Sequence, residues 1–128
     1  MAALIDTNVL LRLVQPMNAD SHLARNTLDK LRRSDQKLVI ATQNLIEFWA
    51  VATRPAANNG FGMNIERAKR EIGDFKSILE VLPETDQILP EWERLVVTYQ
   101  VSGKNAHDAR LVAVMNVNRI ERILTFNV

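Results

Sequence analysis

Cysteine is absent from this chain. Disulfides, thiolate metal sites and a cysteine nucleophile are thereby excluded, and the chain suits a reducing cytosol. A surplus of one charge is missing too: 16 basic residues face 15 acidic ones, for a formal net charge of +1. At that balance bulk charge cannot hold nucleic acid, and local basic patches or a metal would have to do so. Arg32, Arg33 and Lys37 form one such patch and Arg67, Lys69 and Arg70 another, each taken singly reading first as a solvated helix face. No apolar run approaches the roughly 18 residues of a membrane span, so no membrane partner is expected. The opening Met-Ala-Ala-Leu-Ile-Asp lacks the basic stretch of a secretory signal and meets an acid at residue 6, which points to a cytoplasmic location. Repeats and low-complexity tracts are lacking as well.

What is present is enough for one domain: 128 residues, 47% of them hydrophobic and 24% charged. Short apolar runs alternate with helical patterns. Ala2 to Ile5 reads as a buried strand ending at Asp6, and Asn8 to Val14 as a short helix that stops before Pro16. Asp20 or Ser21 is placed to cap a second helix with Leu23, Ala24, Leu28 and Leu31 on one face. Lys37 to Ala41 reads as a strand. Thr42 is placed to cap a third helix that Pro55 ends. Residues 56–63 form the clearest loop, and Asn64 is placed to cap a helix to about Leu79. A short strand at Glu80 to Leu82 precedes a helix from about Pro90 carrying Trp92, Leu95, Val96 and Tyr99. After a turn at residues 102–105, His107 to Asn118 reads as a helix with Leu111, Val112 and Met115 inward, and Arg122 to Phe126 as the last strand. Strands separated by helices imply parallel pairing, hence an α/β sandwich of three layers around a central parallel sheet. In such sheets sites form beyond the carboxyl ends of the strands.

Four acids and amides deserve inspection on that rule. Asp6 follows the first strand, where it is either a helix cap or a carboxylate aimed into the crevice. Glu47 is the lone acid of an apolar helix, on a stripe with Gln43 and Arg54, so it either faces water or has a partner. Asp108 lies in the first turn of its helix, spaced from Asn105 like a capping box and well placed for the helix dipole. Asn127 follows the last strand and is locally an ordinary turn residue. Clustered carboxylates repel unless a cation sits between them, and oxygen-rich sites favour Mg2+ or Mn2+. One or two such ions activate water for phosphodiester hydrolysis. His107 reads as structural or supporting, since neighbouring helix positions point about 100° apart, and Lys104 as a phosphate contact or a solvated lysine. Trp49 and Trp92 sit at apolar helical positions and read as core rather than as base-stacking platforms.

Leu-Ile-Asp-Thr-Asn at residues 4–8, Asn-Leu-Ile-Glu-Phe-Trp at 44–49, His-Asp-Ala-Arg-Leu-Val-Ala at 107–113 and Ile-Leu-Thr-Phe-Asn at 123–127 resemble, in that order, the motifs of the PIN-domain family. Val-Ala-Thr-Arg-Pro and Asn-Asn-Gly between them resemble one bacterial subgroup. The resemblance implies a Rossmann-like fold and a metal-dependent endoribonuclease, as in the VapC-like toxins of toxin–antitoxin pairs. It implies Mg2+ (or Mn2+) ligation and catalysis by Asp6, Glu47 and Asp108, with Thr7 and Asn8 bracing the first acid and Asn127 and Lys104 supporting the site or the substrate. RNA as substrate, a cognate antitoxin and a homodimer are the implied partners, with the apolar Phe61-Gly62-Met63 loop a candidate for the dimer contact. Family members commonly continue past Thr-Phe-Asn to a further Asp ahead of a Phe, whereas this sequence stops at Val128. The reading is therefore of a single PIN-like domain over residues 1–128, shortened at its C-terminus, and the alternative is a catalytically impaired module that binds RNA or protein. A haloacid-dehalogenase-like phosphatase would want an Asp where Asn8 stands, and a receiver domain would want paired acids after the first strand.

Overall fold

The computed structural model describes residues 2–15 and 19–126, with main chain only at 19 and 20. Two strands lie at its centre, β1 (Ala2–Ile5) and β2 (Lys37–Ile40), flanked by β3 (Glu80–Val81) and β4 (Arg122–Leu124). All pair in parallel, in the order β3-β2-β1-β4, with Leu4 opposite Val39 and Ile5 opposite Leu124. Residues alternate between the faces of a strand, which sorts the apolar runs into two cores. Ala3, Ile5, Leu38 and Ile40 meet one helical layer, made by α1 (Thr7–Leu13), α2 (Ala19–Arg33), α3 (Thr42–Thr53) and α4 (Ile65–Ile78). Leu4, Val39 and Ala41 meet the other, made by α5 (Ile88–Thr98) and α6 (Asn105–Val117). Both faces of the sheet are therefore covered, as near-continuous apolar strands require. Phe48 and Phe75 meet edge to face at 4.9 Å and lock α3 to α4. No helix among the described residues is long and apolar enough to cross a membrane.

Several details differ from the sequence reading. Helix α2 begins at Ala19, so Asp20 and Ser21 lie inside it, and its covered face runs through Ser21, Ala24, Leu28 and Leu31 while Leu23 is exposed. Ala41, not Thr42, occupies the cap position of α3, because the side chain of Asn44 supplies the capping bond in reverse by accepting from the Ala41 N–H at 2.9 Å. Helix α5 starts at Ile88, which puts Pro90 in the first turn, where no intrahelical N–H is lost. Tyr99 and Val112 are exposed rather than inward. Helix α6 begins at Asn105 with Lys104 as its cap, and no side chain makes the capping bond that the Asn105–Asp108 spacing suggests.

The loop after α3 turns back on its own helix. The N–H groups of Phe61, Gly62 and Met63 donate to the carbonyls of Val51, Arg54 and Ala52 at 3.2, 2.8 and 2.8 Å. Met63 is buried and Phe61 packs against the first core, so the loop spends its apolar side chains inward and offers little of them to a second copy. Trp49 and Trp92 pack half-buried against the first and second cores respectively, as expected, and each also lines a surface cleft.

Candidate active site

The carboxyl ends of β1 and β4 meet at Asp6, whose N–H donates to the Leu124 carbonyl at 3.0 Å. Its backbone is extended and its Oδ1 accepts from the Thr7 N–H at 2.8 Å, which makes it the cap of α1. Its Oδ2 accepts from the Thr125 hydroxyl at 2.9 Å. The cap reading of Asp6 is borne out, and Asp6 is not among the residues that line the acid cleft described below. Asn8 closes the arrangement from the other side. Its Nδ2 donates to Thr125 Oγ1 at 2.9 Å and its Oδ1 accepts from the Phe126 N–H at 3.1 Å. The tail of β4 is thereby clamped to the first turn of α1.

Next to Asp6, the buried Thr7 points its hydroxyl the opposite way, donating to Glu47 Oε2 at 3.2 Å. The Thr7 hydroxyl oxygen in turn accepts from Asn44 Nδ2 at 3.2 Å. Asn44 is completely buried, and its two bonds, to Thr7 and to the Ala41 N–H, satisfy an amide that would otherwise cost about 1–3 kcal/mol. Thr7 has one proton to give, so the Asn44 donor directs it toward Glu47. The other oxygen of Glu47 is held by Gln43, one helical turn back, whose Nε2 donates to Oε1 at 2.8 Å and to the His107 carbonyl at 2.9 Å. Gln43 Oε1 accepts from Arg110 Nη1 at 3.2 Å, and Arg110 Nη2 pairs with Glu84 at 2.8 Å. A polar strap therefore runs from α3 across the sheet end to α6 and the segment after β3.

Between these walls opens a cleft of about 620 Å3, lined by Gln43, Ile46, Glu47, Glu84, His107 and Asp108 among others. Glu47 and Asp108 are exposed, and Asp6, half-buried, is joined to Glu47 through Thr7. Asp108 makes no hydrogen bond or ion pair among the described residues, and none of the three acids is ion-paired there, although Arg110 lines the same cleft as Glu47 and Asp108. Among the described residues no three acid or histidine side chains stand close enough to cage a metal ion directly. The three acids themselves offer only oxygen donors, with His107 beside Glu47 and Asp108 on the cleft wall. That chemistry suits Mg2+ or Mn2+, of which the former keeps several waters and takes one or two carboxylates. Lys104 is exposed at the start of α6 and does not line this cleft, while Asn127 lies outside the described residues.

Four participants were not legible as such in the sequence: Asn44, Thr125, Arg110 and Glu84. A signal existed for Asn44, an uncharged amide in the first turn of an otherwise apolar helix, three residues past a strand end. Thr125, Arg110 and Glu84 carried none, because their partners are far away in the chain.

A family model described as PIN domain matches residues 3–128. No curated protein sequence gives a significant match. The chain resembles the solved structure of VapBC2 from Rickettsia felis bound to a DNA fragment from their promoter, with TM-score 0.74, 14% identity, and coverage of 99% of this chain and 88% of that one. It resembles VapBC-1 from nontypeable Haemophilus influenzae with TM-score 0.68, 20% identity and coverage of 99% and 87%. A third likeness is to VapC20 of Mycobacterium tuberculosis, a sarcin-ricin loop cleaving toxin, with TM-score 0.68, 19% identity and coverage of 99% and 90%. At these identities the likeness is one of fold.

Proposed function

This chain belongs to the PIN domain family, and from that premise we propose that it is a metal-dependent endoribonuclease, the toxin of a toxin–antitoxin pair. The observation that carries the reading is the tie between Asp6 and Glu47. Asp6 at the end of β1 and Glu47 of α3 are joined through Thr7, whose N–H donates to the first and whose hydroxyl donates to the second, beside a cleft that Asp108 lines from the other helical layer. Structural neighbours solved as VapB–VapC complexes support a cognate antitoxin as partner, and a neighbour that cleaves an RNA loop supports RNA as substrate.

In this reading Asp6 and Asp108 would hold the Mg2+ or Mn2+, which supplies water activation and charge neutralisation at the phosphoryl group. The chain's own residues do the positioning. The Thr7 N–H and the Thr125 hydroxyl each take one lone pair of Asp6 and fix its plane, leaving the remaining lone pairs directed elsewhere. Glu47, held at one oxygen by Gln43 and at the other by Thr7, orients the attacking water. A second reading, a PIN module impaired in catalysis that binds RNA or protein, draws on the lack of a three-acid cage among the described residues.

The two are separated by incubating the purified chain with single-stranded RNA and Mn2+, with and without EDTA. Cleavage that needs the metal and falls by about 100-fold or more in Asp6→Asn and in Glu47→Gln is the expected result. RNA left intact by a folded wild-type chain, or cut equally well by Asp6→Asn, would sink the nuclease reading.

A further inference from the structure

Beside the acid cleft lies a second one, of about 430 Å3, and the two share a wall: Glu84, His107 and Arg110 line both. The floor of the second cleft is apolar, made by Ile88, Leu89 and Trp92 of α5. Leu89 is 61% exposed, an open apolar surface at the mouth. The half-buried indole of Trp92 is pinned, its Nε1–H donating to the Ala106 carbonyl at 2.8 Å. The polar rim is pinned as well, through Arg110 to Glu84 at 2.8 Å and to Gln43 at 3.2 Å. On the ridge between the clefts stands the exposed ring of His107, which makes no hydrogen bond among the described residues while its carbonyl is anchored by Gln43.

We propose that this second cleft is a nucleobase subsite, which takes one unstacked base of a single-stranded RNA whose adjoining phosphodiester lies in the acid cleft. The inference rests on the ribonuclease reading and adds to it a position that holds a base. A nucleobase has apolar faces and a polar edge. The cleft has the matching parts, an apolar floor and a fixed donor and acceptor, Arg110 and Glu84, at one rim. Sequence-tolerant RNA binding uses bases splayed onto aromatic, histidine or arginine planes, which a paired and stacked duplex does not offer. The volume is at the small end of ligand pockets and suits one base rather than a stack. The shared residues set the distance: a base seated over Trp92 has its backbone passing His107 toward Glu47 and Asp108. An apolar side chain of a protein partner would use the floor but leave the Arg110–Glu84 rim without a counterpart.

The test uses the full chain in EDTA, so that nothing is cut, and titrates it with nucleoside 5′-monophosphates and with a short single-stranded oligoribonucleotide. The readout is the indole N–H resonance of Trp92, assigned with Trp49→Phe. The resonance is expected to shift saturably with the oligoribonucleotide. Leu89→Asp should weaken that binding by about fivefold or more, while Val97→Asp, exposed on the same helix and outside the cleft, leaves it unchanged. Leu89 lies in the first turn of α5, where an added acid favours the helix, so the variant folds. No shift of Trp92, or a shift that Leu89→Asp does not weaken, overturns the subsite. Capture of a protein at Leu89 without any nucleotide response overturns it too. Cleavage in Mn2+ is measured separately. Cutting without a Trp92 response removes the subsite and spares the nuclease, and a response without cutting does the reverse.

Discussion

Asn44 carries no charge and touches no solvent, yet it decides where the Thr7 proton goes. Replacing it with alanine strands the Ala41 N–H and leaves Thr7 free to turn from Glu47. The expected cost is about 1–3 kcal/mol of stability from the unmade bonds, measured by urea unfolding, and it should be smaller for Thr7→Ser, which keeps the hydroxyl. A midpoint unchanged in Asn44→Ala would show that the amide is idle. The contrast between Asp6 and Asn44 explains what a reader of the sequence can find. Asp6 announces itself by following an apolar run, because strand ends are where such sheets place their chemistry. Asn44 and Thr125 work through partners 37 and 119 positions away, and no local spacing encodes a hydrogen bond of that reach.

Two glycines show how differently one residue type serves an element. A Cβ on Gly60 would meet the Arg54 carbonyl oxygen at 2.0 Å, since the loop after α3 folds back onto the end of that helix. A Cβ on Gly73, inside α4, would meet nothing within 4 Å. Gly60→Ala is expected to destabilise by about 1–3 kcal/mol, and Gly73→Ala to stabilise by about 0.5–1 kcal/mol. Thermal unfolding of the two variants reads opposite signs, and a like sign in both would refute the contrast. Strands and most helices were legible because alternation and caps are local signals. The starts of α5 and α6 were less so, because neither has a side-chain bond at its cap to mark where it begins. The ends of α2, α5 and α6 are each followed by a left-handed residue that is not glycine, Asp35, Gln100 and Arg119. The usual stop signal is therefore missing there. Leu23, Tyr99 and Val112 misled for a related reason, since apolar residues also populate surfaces and periodicity alone does not say which stripe is covered.

The α5–α6 layer holds a carboxyl whose bonds tie its packing to pH. On the α5–α6 side, Glu91 accepts from Arg94 and from Asn116 of α6, which holds its carboxyl down at about 2 from an ordinary 4.5. A carboxyl whose folded value lies below its unfolded one stabilises fully above the unfolded value and loses that contribution as pH falls toward the folded one. The wild-type advantage over Glu91→Gln should thus be present at neutral pH and shrink between pH 4.5 and about 2. Paired urea titrations check this, and a gap that does not narrow over that window refutes the assignment. The layered plan itself was readable, because strands alternating with helices leave few other ways to bury every apolar face. The strap of Gln43, Arg110 and Glu84 that crosses the sheet end was not, since its bonds join residues far apart in the chain. Timing follows from the bond between Asp6 and Thr125, which reaches over 119 positions. A ribosome making this chain exposes Asp6 almost at once, but its brace arrives only when residue 125 clears the exit tunnel. For nearly all of its synthesis the growing polypeptide carries that carboxylate with its local Thr7 bond alone.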